Sequence, residues 1–518
     1  MKLTIDTAVQ FFPRGGSAQV IRYLATDLTG RGHTCRILCG SLGEPGQFSH
    51  AATFYENLHI AAMDYTPAAE VYARGGSSVE GQQAPFHPSY EDRGPRAPDH
   101  MFTAVPPRAT AHLIDAWRRH LSAHRSSRPD VVHVHHLSHL QTAVARAYPA
   151  VPTVTTFHGT DLKLLDQARQ HIRLAGQIGV PLAQLANAGR HPDVGARRDA
   201  IARLLPRSLA LALRERAHAI DWRHWSHADV WAARMRHHVR QAGRLVTVSA
   251  GDQAEVERLL DVPTHQITII GNGVETTRFT PQHLTIGQKL ALLRRWLVDD
   301  PQGWAPAQAP GSVRYTDADL AALLTPEGRL RPIVLWIGRY QQVKRLNVLL
   351  EAFAAALKEI SPAPVLLLWG GYPGENEGEH PFEAARRLGI ERHVHLIGWR
   401  GHDELPAGLA CADLMAAPAV NESFGMVYIE AAACGVPPIA TRTGGPAALI
   451  TSDGADADGW LVRPDDADDL AATLIAALTD PAERARRAAN GLERVRRQYA
   501  WPRVADRYQQ LYEQEAHR

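Results

Sequence analysis

The stretch 418–435, PAVNESFGMVYIEAAACG, constrains the fold of this 518-residue chain more than any other. The apolar run 414–417 before it is typical of a buried strand, and residues 426–434 have the composition of a short helix. Gly435 and Pro437 follow, at the positions where a left-handed cap and a stop end many helices. The sequence therefore predicts a strand, a loop and a helix start in immediate succession.

A loop that ends at a helix start directs unpaired backbone N–H groups and the positive end of the helix dipole toward one point. This arrangement suits a phosphate group. The main-chain candidates for phosphate or sugar contacts are Ser423, Gly425, Met426 and Val427.

Two carboxylates, Glu422 and Glu430, stand eight residues apart in this stretch. One can face a sugar while the other accepts hydrogen bonds from a ribose diol. Alternatively, the first complements the helix dipole and the second is a solvated helix carboxylate. The residues by themselves leave both interpretations open.

The N-terminus repeats the strand, loop and helix order. Residues 2–9 predict a strand, Gly15 and Gly16 lie in the loop, and Ser17 is the expected cap of the next helix. With a second strand at 34–38, this is a βα unit of a doubly wound sheet. The paired glycines serve turn geometry, or they let the backbone approach a diphosphate or an acceptor closely.

Length and composition favour a two-domain globular protein: 518 residues exceed one ordinary core, and 45% are apolar and 21% charged. The net charge of +2 argues against a dedicated nucleic-acid binder. Four cysteines show no metal-ligand pairing and suit a reducing compartment. We find neither a signal peptide nor a spanning segment in the sequence, so a cytoplasmic location is expected.

Two regions have the features of insertions. The first is 41–110, whose Gly-, Pro- and Ser-rich stretch 75–98 predicts a long loop that is either a lid or a disordered segment; we favour a lid that selects the acceptor. Residues 162–240 predict helices, with an arginine-rich surface that is either simply solvated or faces an anionic acceptor or a membrane. The side chains of the first region that suit polar rings are Phe86, His87, Tyr90, Arg93 and Arg96.

Further polar groups follow predicted strands, where open α/β sheets place their ligands. Arg339 and Lys344 follow the strand 333–337 and can clamp a diphosphate, Arg with forked hydrogen bonds and Lys as a compact charge. His158 follows the strand 151–157, and Trp399 follows the strand 394–397. A loop histidine that caps its strand and a tryptophan in the core are the alternatives.

A run of histidines marks the strand that begins at 131. His133 and His135 share one face by strand alternation, and His136 points to the other, so a single metal site is not expected. His139 lies just beyond.

Taken together, ESFGMVYIEAAACG and its companions resemble the family 4 glycosyltransferases. These are retaining enzymes that use nucleotide sugars and have two facing Rossmann-like domains with a cleft between them, the GT-B fold. The companion motifs stand in the family's order: GG at 15–16, HGTD at 158–161, NGV at 272–274 and GRYQQVK at 338–344. This chain departs from the family at Arg345, where many members have glycine, and at Ala448, where an acid is common.

The resemblance implies roles for individual residues. His158 would lie beside the donor sugar, Arg339 and Lys344 would neutralise the diphosphate, Glu422 would hold the sugar and Glu430 the ribose. The catalytic set is then His158, Arg339, Lys344 and Glu422, and no metal ion is required. The donor-binding set is Gly15, Gly16, Arg339, Lys344, Trp399, Arg400, Glu422, Ser423, Phe424, Gly425, Met426, Val427 and Glu430, and the acceptor-binding set is His135 and Asp161.

The predicted function is retaining transfer of a hexose from a UDP or GDP sugar to a small polar acceptor, with no separate cofactor. A nucleotide-sugar epimerase or phosphorylase on the same fold, and a non-enzymatic sugar-nucleotide-binding protein, remain alternatives. The predicted domains are 1–300 on the acceptor side, 301–498 on the donor side, and a helix at 499–518 that crosses back to the first domain.

Overall fold

The computed structural model describes residues 1–77, 85–92, 99–124 and 128–517. The chain divides into two compact units. Unit 1 contains Met1–Ile270 together with the residues from Ala505 onward, and unit 2 contains Gly271–Val504.

Unit 1 contains a seven-stranded parallel sheet. Its strands and a separate short pair are β1 (Thr4–Val9), β2 (Thr34–Ser41), β3 (His59–Asp64), β4 (Pro88–Ser89), β5 (His100–Met101), β6 (Val131–His135), β7 (Thr153–Thr156), β8 (Arg244–Thr247) and β9 (Ile267–Ile269). The sheet order is β3-β2-β1-β6-β7-β8-β9, and β4 pairs only with β5. The strand order reverses between β1 and β6, which is the topological switch point where open α/β sheets bind ligands.

The helices of unit 1 cover the sheet and form the helical region before β8. They are α1 (Gly15–Gly30), α2 (Ala51–Phe54), α3 (Thr66–Ala73), α4 (Pro107–Ala123), α5 (Leu140–Ala147), α6 (Thr160–Ile178), α7 (Leu182–Gly189), α8 (Val194–Leu204), α9 (Leu211–Ala219), α10 (Ala228–Arg240) and α11 (Ala250–Leu260).

Unit 2 contains a six-stranded parallel sheet with strands β10 (Ile333–Gly338), β11 (Val365–Gly370), β12 (Val394–Gly398), β13 (Leu414–Ala416), β14 (Pro438–Thr441) and β15 (Trp460–Val462). The order β12-β11-β10-β13-β14-β15 is that of a dinucleotide-binding sheet, with its switch point between β10 and β13.

The remaining helices are α12 (Ile286–Arg294), α13 (Asp317–Ala321), α14 (Leu346–Ala356), α15 (Pro381–Arg387), α16 (Leu405–Cys411), α17 (Met426–Ala433), α18 (Gly444–Leu449), α19 (Ala467–Thr479), α20 (Pro481–Gln498) and α21 (Trp501–Ala516). The predicted α/β class with two Rossmann-like, doubly wound domains is thus confirmed.

The central strands have the near-continuous apolar sequences of strands that are covered on both faces. In β11, VLLLWG, every residue is buried, and in β10, IVLWIG, five of six are. In β6, VVHVH, two histidines occupy buried positions beside three valines. The two sheets also differ in the polar side chains at their carboxyl edges.

The sequence-based boundary at 300/301 lies downstream of the division at Ile270/Gly271. The segment between them packs on unit 2 because its side chains find partners there. Lys289 Nζ donates to the carbonyl of Cys411 at 3.3 Å, and the ring of Trp296 meets that of Trp369 at 5.1 Å.

The residues that follow α12 lie along β12, the edge strand of the second sheet. Tyr315 accepts a hydrogen bond from the backbone N–H of Leu396 at 2.8 Å through its hydroxyl oxygen. The segment holds its own shape because the N–H groups of Gly311 and Val313 both donate to the carbonyl of Gly303. At Gly303 an added Cβ would lie 2.4 Å from the carbonyl oxygen of Leu396, so only glycine allows this approach.

The C-terminal helix α21 is divided between the two units. Its residues from Ala505 onward belong to unit 1. Arg244 pairs with Glu515 at 3.0 Å, and Arg31 pairs with Asp506 at 2.6 Å.

The lid interpretation of the stretch 75–98 stays a prediction, but the larger region 41–110 has regular structure in the part that is described. Strand β3 and helix α3 lie inside it. The side chains of Phe86, His87 and Tyr90 are buried, because Phe11 and Phe12 pack against His87, and Tyr90 donates its hydroxyl to the carbonyl of Leu137. Arg93 and Arg96 lie outside the described residues. The region 162–240 is helical, as predicted, and forms α6–α10.

Among the described residues, none of the helices has the length and apolar character needed to cross a membrane.

Candidate active site

In unit 2 the loops after β10 and β13 meet at the switch point. Lys344 Nζ lies 2.5 Å from Glu422 Oε2, and both side chains are about a quarter exposed. The backbone supports this pair, because the N–H of Val420 donates to the carbonyl of Val343 at 2.8 Å. Two residues 78 positions apart in the chain, both predicted from the sequence, are therefore brought together.

Arg339 precedes Lys344 on the same loop and is half-buried. The loop turns tightly after it, with the N–H of Gln341 donating to the carbonyl of Arg339 at 2.7 Å. A guanidinium and an ammonium thus stand within six residues at the carboxyl end of β10, which is a suitable arrangement for an anion with several oxygens.

Arg345 has a backbone conformation that favours glycine. Its φ is +51°, in the left-handed region that an L side chain enters at a cost of about 1 kcal/mol. Arg345 is held there by an ion pair with Asp465 and by a hydrogen bond from Nη1 to the carbonyl of Gln342 at 2.7 Å. Helix α14 begins at the next residue.

The loop before α17 depends on glycine at its last position. Gly425 has φ +94°, and an added Cβ would lie 2.4 Å from the ring of Tyr428. Among the described residues no side chain caps α17, so the first N–H groups of the helix, those of Met426 and Val427, are available to a ligand. Phe424 is buried, so its main chain and not its ring would serve a ligand.

A second pair of glycines supports this loop from behind. The N–H of Gly445 donates to the carbonyl of Glu422 at 2.7 Å. A Cβ at Gly444 would lie 2.6 Å from that carbonyl oxygen, and one at Gly445 would lie 2.5 Å from Cα of Phe424. The loop carrying Glu422 is therefore ordered by backbone contacts to Gly444 and Gly445.

Glu430 lies in α17 and is 3% exposed. Its Oε1 is 2.7 Å from Nε2 of His402, in the loop after β12. Within the described part of the chain, Oε2 accepts no hydrogen bond. The ring of His402 packs on that of Phe279 at 5.1 Å.

Trp399 and Arg400 follow β12 with opposite environments. Trp399 is 53% exposed, so it is not a core residue. Arg400 is buried: Nη1 pairs with Asp300 at 2.6 Å, and Nη2 donates to the carbonyl of Trp296 at 2.9 Å. Its guanidinium ties the 286–316 segment to the sheet, and donor binding by Arg400 stays a prediction for its main chain.

In unit 1 the predicted glycines stand at the start of α1. This helix begins at Gly15, not after Ser17, and the side chain of its N-cap residue, Arg14, does not cap it. Gly15 has φ +66° and open space around a Cβ.

The preceding Arg14 pairs with Asp99 at 2.6 Å, and Asp99 also accepts from His87 at 2.7 Å. The His87 and Arg14 side chains hold the pKa of Asp99 well below its usual range, against the effect of its burial.

His158 lies directly after β7 and stacks on His135. Its Nε2 is 2.9 Å from Nδ1 of His135, and the ring centroids are 5.2 Å apart. Burial lowers the pKa of His158 to about 3 and that of His135 well below its ordinary value. Both imidazoles are therefore neutral near pH 7, and one donates to the other.

Asp161 is buried in the first turn of α6. Oδ2 accepts from the N–H of Leu137 at 3.0 Å and Oδ1 from the N–H of Leu162 at 3.0 Å. Burial raises its pKa to about 6, although these N–H groups lower it. Asp161 thus joins the loop after β6 to α6. Its role and that of the fully buried His135 in acceptor binding remain predictions.

The histidines of β6 are held by the C-terminal helix. Tyr512 places its hydroxyl 2.7 Å from Nδ1 of His133, whose Nε2 is 2.8 Å from Oγ1 of Thr156. Thr156 in turn meets the hydroxyl of Tyr508 at 3.2 Å. The polar side chains in β6 and β7 therefore find their hydrogen-bond partners on the C-terminal helix α21.

His136 does not follow the alternation predicted for it. The strand ends at His135, and His136 has φ +66°, so its ring turns toward His158 at 4.6 Å. Even so, across the described ranges of the chain no set of three or more His, Cys, Asp or Glu side chains is arranged to hold a metal ion.

Sequence reasoning missed His402 and Phe279. Each is ordinary in its local context, and neither belongs to a recognisable motif. Their importance arises because β12 and the segment after Ile270 pack beside α17. The eight-residue spacing of Glu422 and Glu430 does not indicate which side chain binds the Glu430 carboxylate.

Two family models match the chain, one in each unit. Residues 14–190 match the model described as Glycosyltransferase Family 4, and residues 325–494 match the model described as Glycosyl transferases group 1.

The chain is 30% identical over 280 residues to a D-inositol 3-phosphate glycosyltransferase of Salinispora arenicola. That alignment covers 53% of this chain and 55% of the relative, so the chain spans about half the length of the relative.

Solved structures agree in fold over almost the whole chain. Sucrose-phosphate synthase from Thermosynechococcus elongatus gives a TM-score of 0.57 at 17% identity, covering 99% of this chain and 98% of that one. The Anabaena protein HepE, in complex with UDP and glucose, gives a TM-score of 0.56 at 14% identity, covering 98% and 99%. Both family models and the shared GT-B fold agree with the motifs, and the chain belongs to the family 4 type of glycosyltransferases.

Proposed function

We propose that this protein is a retaining glycosyltransferase that moves a hexose from a UDP or GDP sugar to a small polar acceptor, without a divalent metal ion. The observation that carries the proposal is the Lys344–Glu422 pair at the switch point of unit 2, with Arg339 on the same loop. The two cationic side chains, Lys344 and Arg339, together with the backbone N–H groups at a helix start, fit a departing diphosphate.

Negative charge builds on the diphosphate as the bond from the sugar to its oxygen breaks. Arg339 offers forked N–H donors, and Lys344 has three N–H donors, of which Glu422 uses one. The N–H groups of Met426 and Val427 add fixed dipoles. These groups stabilise the leaving group as Mg²⁺ does in other enzymes, which is the basis for proposing metal independence.

The carboxylates take different roles because their environments differ. Glu422 is partly exposed beside Lys344 and accepts hydrogen bonds from sugar hydroxyls. Glu430 is enclosed, with one oxygen unused, and accepts from the ribose.

His158 is proposed to contact the donor sugar. A pKa near 3 makes it a poor base at neutral pH, so it serves as a hydrogen-bonding group for a sugar hydroxyl. The base for the acceptor hydroxyl is then an oxygen of the leaving phosphate. Attack on the face from which the phosphate departs retains the anomeric configuration.

The known relatives support the substrate classes. HepE was solved with UDP and glucose, and the Salinispora relative is named for inositol 3-phosphate, a small polar acceptor. The four cysteines are all free and buried, which agrees with a cytoplasmic location.

The test is a thermal-shift panel of UDP, GDP, ADP and dTDP sugars, followed by mass spectrometry of a metabolite extract incubated with the donor that stabilises most. We expect one donor class to raise the unfolding temperature and a new hexosylated product to form, also in the presence of EDTA. NMR of the product gives the anomeric configuration. Isomerisation of the nucleotide sugar without acceptor would instead identify an epimerase, and absence of any nucleotide-dependent shift would overturn the proposal.

A further inference from the structure

The loop after β12 contributes a side chain that the proposed mechanism has not used. His402 lies 28 residues before Glu430 in the chain, yet its Nε2 is 2.7 Å from Oε1 of that carboxylate. Both side chains are shielded, with 18% of His402 and 3% of Glu430 exposed. This distance is short for an N–H···O bond, which is typical when the acceptor is ionised.

We propose that His402 is a positioning residue, which fixes the Glu430 carboxylate so that its second oxygen faces the ribose of the donor. The inference rests on the proposed function, because it assigns Glu430 to the ribose. The second oxygen of Glu430 makes no hydrogen bond to the described residues, so it is available to a hydroxyl of the ligand. Binding of a hydroxyl there completes the set of partners.

The imidazole is itself held in place from the far side. Its ring packs on Phe279, which is buried, and the neighbouring Asp403 pairs with Arg278 at 2.5 Å. Because the two contacts fix both the ring and its backbone, rotation of the Glu430 side chain is restricted without any direct contact from His402 to the ligand. Nδ1 of His402 has no hydrogen-bond partner within the described part of the chain, so the ring has one bond to make, that to Glu430.

The test compares two probes on one protein. The probes are the tightest binder among UDP, GDP and ADP, and the 2′,3′-dideoxy form of the same nucleotide, each titrated by calorimetry. In the unsubstituted protein we expect the ribose hydroxyls to contribute about 10-fold or more in affinity, as for a hydrogen bond to a charged group. In His402→Leu this preference should fall to about 3-fold or less, since the carboxylate is no longer oriented.

Two further variants separate positioning from general damage. His402→Gln can donate from its amide to Oε1 and should restore most of the preference. Asp403→Asn loosens the backbone of the same loop through Arg278, so it should lower the preference less than His402→Leu does, even if it weakens both probes.

The outcomes distinguish the two proposals. If none of the three nucleotides binds the unsubstituted protein, the proposed function fails. If the ribose preference is present and His402→Leu weakens both probes equally, the proposed function stands and His402 has only a structural role.

Discussion

The two units share one sheet topology but differ in the polar groups at its carboxyl edge. In unit 1 the edge carries neutral imidazoles, of which the buried His135 contacts both His133 and the half-buried His158. In unit 2 it is formed by partly exposed ions, Lys344 and Glu422. One strand order thus supports an uncharged hydrogen-bonding surface in one half and a cationic one in the other.

The difference shows that topology determines where a site lies, and side chains determine which ligand chemistry it can serve. Both switch points are where the order of strands reverses. A neutral imidazole suits a sugar hydroxyl, whereas an ammonium and a guanidinium suit a phosphate. Substitutions or pH changes that act mainly on one unit therefore test this contrast.

The largest effect is expected from removing the ammonium of unit 2. Lys344→Ala should lower kcat/KM by about 10²- to 10³-fold, because the charge of the leaving diphosphate loses a partner in a partly dry site. Steady-state turnover of the donor measures this. Lys358→Ala, which removes an exposed lysine of the same unit, is the matched control and should retain activity. Equal losses in the two variants would remove Lys344 from the mechanism.

Acid should destabilise unit 1 more than unit 2. Burial lowers the pKa of His133 and His238 to about 3, so the folded state stays neutral while the unfolded state binds protons below about 6.5. Stability is therefore full above pH 6.5 and falls as the pH drops toward 3. Between pH 7 and 5 the loss is about 2 kcal/mol for each fully buried histidine.

The carboxyl group of Asp161 in unit 1 has the opposite effect on stability at low pH. The pKa of Asp161 is raised to about 6, so its protonation favours the folded state by about 1 kcal/mol over the same interval. Unit 2 has fewer such histidines, chiefly His380 and His395, with pKa values lowered to about 4. Hydrogen exchange of peptides from β6 and β12 at pH 7 and pH 5 compares the units. Equal loss of protection in both would contradict the contrast.

Removing the exposed indole of unit 2 should have an intermediate effect. If the base of the donor stacks on Trp399, then Trp399→Ala raises the Kd for the nucleoside diphosphate about 10-fold, within the range of base–aromatic stacking. The unfolding temperature should not change, because the side chain is 53% exposed. Tyr372→Ala, at the equally exposed aromatic after β11, is the control. An effect of Tyr372 alone would place the base over β11 instead.

The smallest effect is expected at Arg345. Arg345→Gly relieves a left-handed backbone but removes the ion pair with Asp465 and makes the unfolded chain more flexible. These terms oppose each other, so the free energy of unfolding should change by less than about 1 kcal/mol. Chemical denaturation measures it, and a loss of more than about 2 kcal/mol would mean that the ion pair is essential to the loop.

The sequence predicted both sheets and the loops at their edges, because strands followed by glycine loops and helices have clear local signals. The positions of Arg339, Lys344 and Glu422 in loops that follow strands were predicted in this way. The sequence could not predict that Phe86, His87 and Tyr90 are buried, since Gly- and Pro-rich surroundings carry no periodicity. It also missed His402, whose role depends on a contact between distant segments and on no local pattern.

The segment that follows α12 has a consequence for solubility. Strand β12 ends the second sheet, and an uncovered strand at that position would offer its amides to a strand of another molecule. The hydroxyl of Tyr315 already accepts the N–H of Leu396, and Gly303 lies directly against the same residue. This stretch, which neither family model includes, therefore protects the sheet against edge-to-edge aggregation.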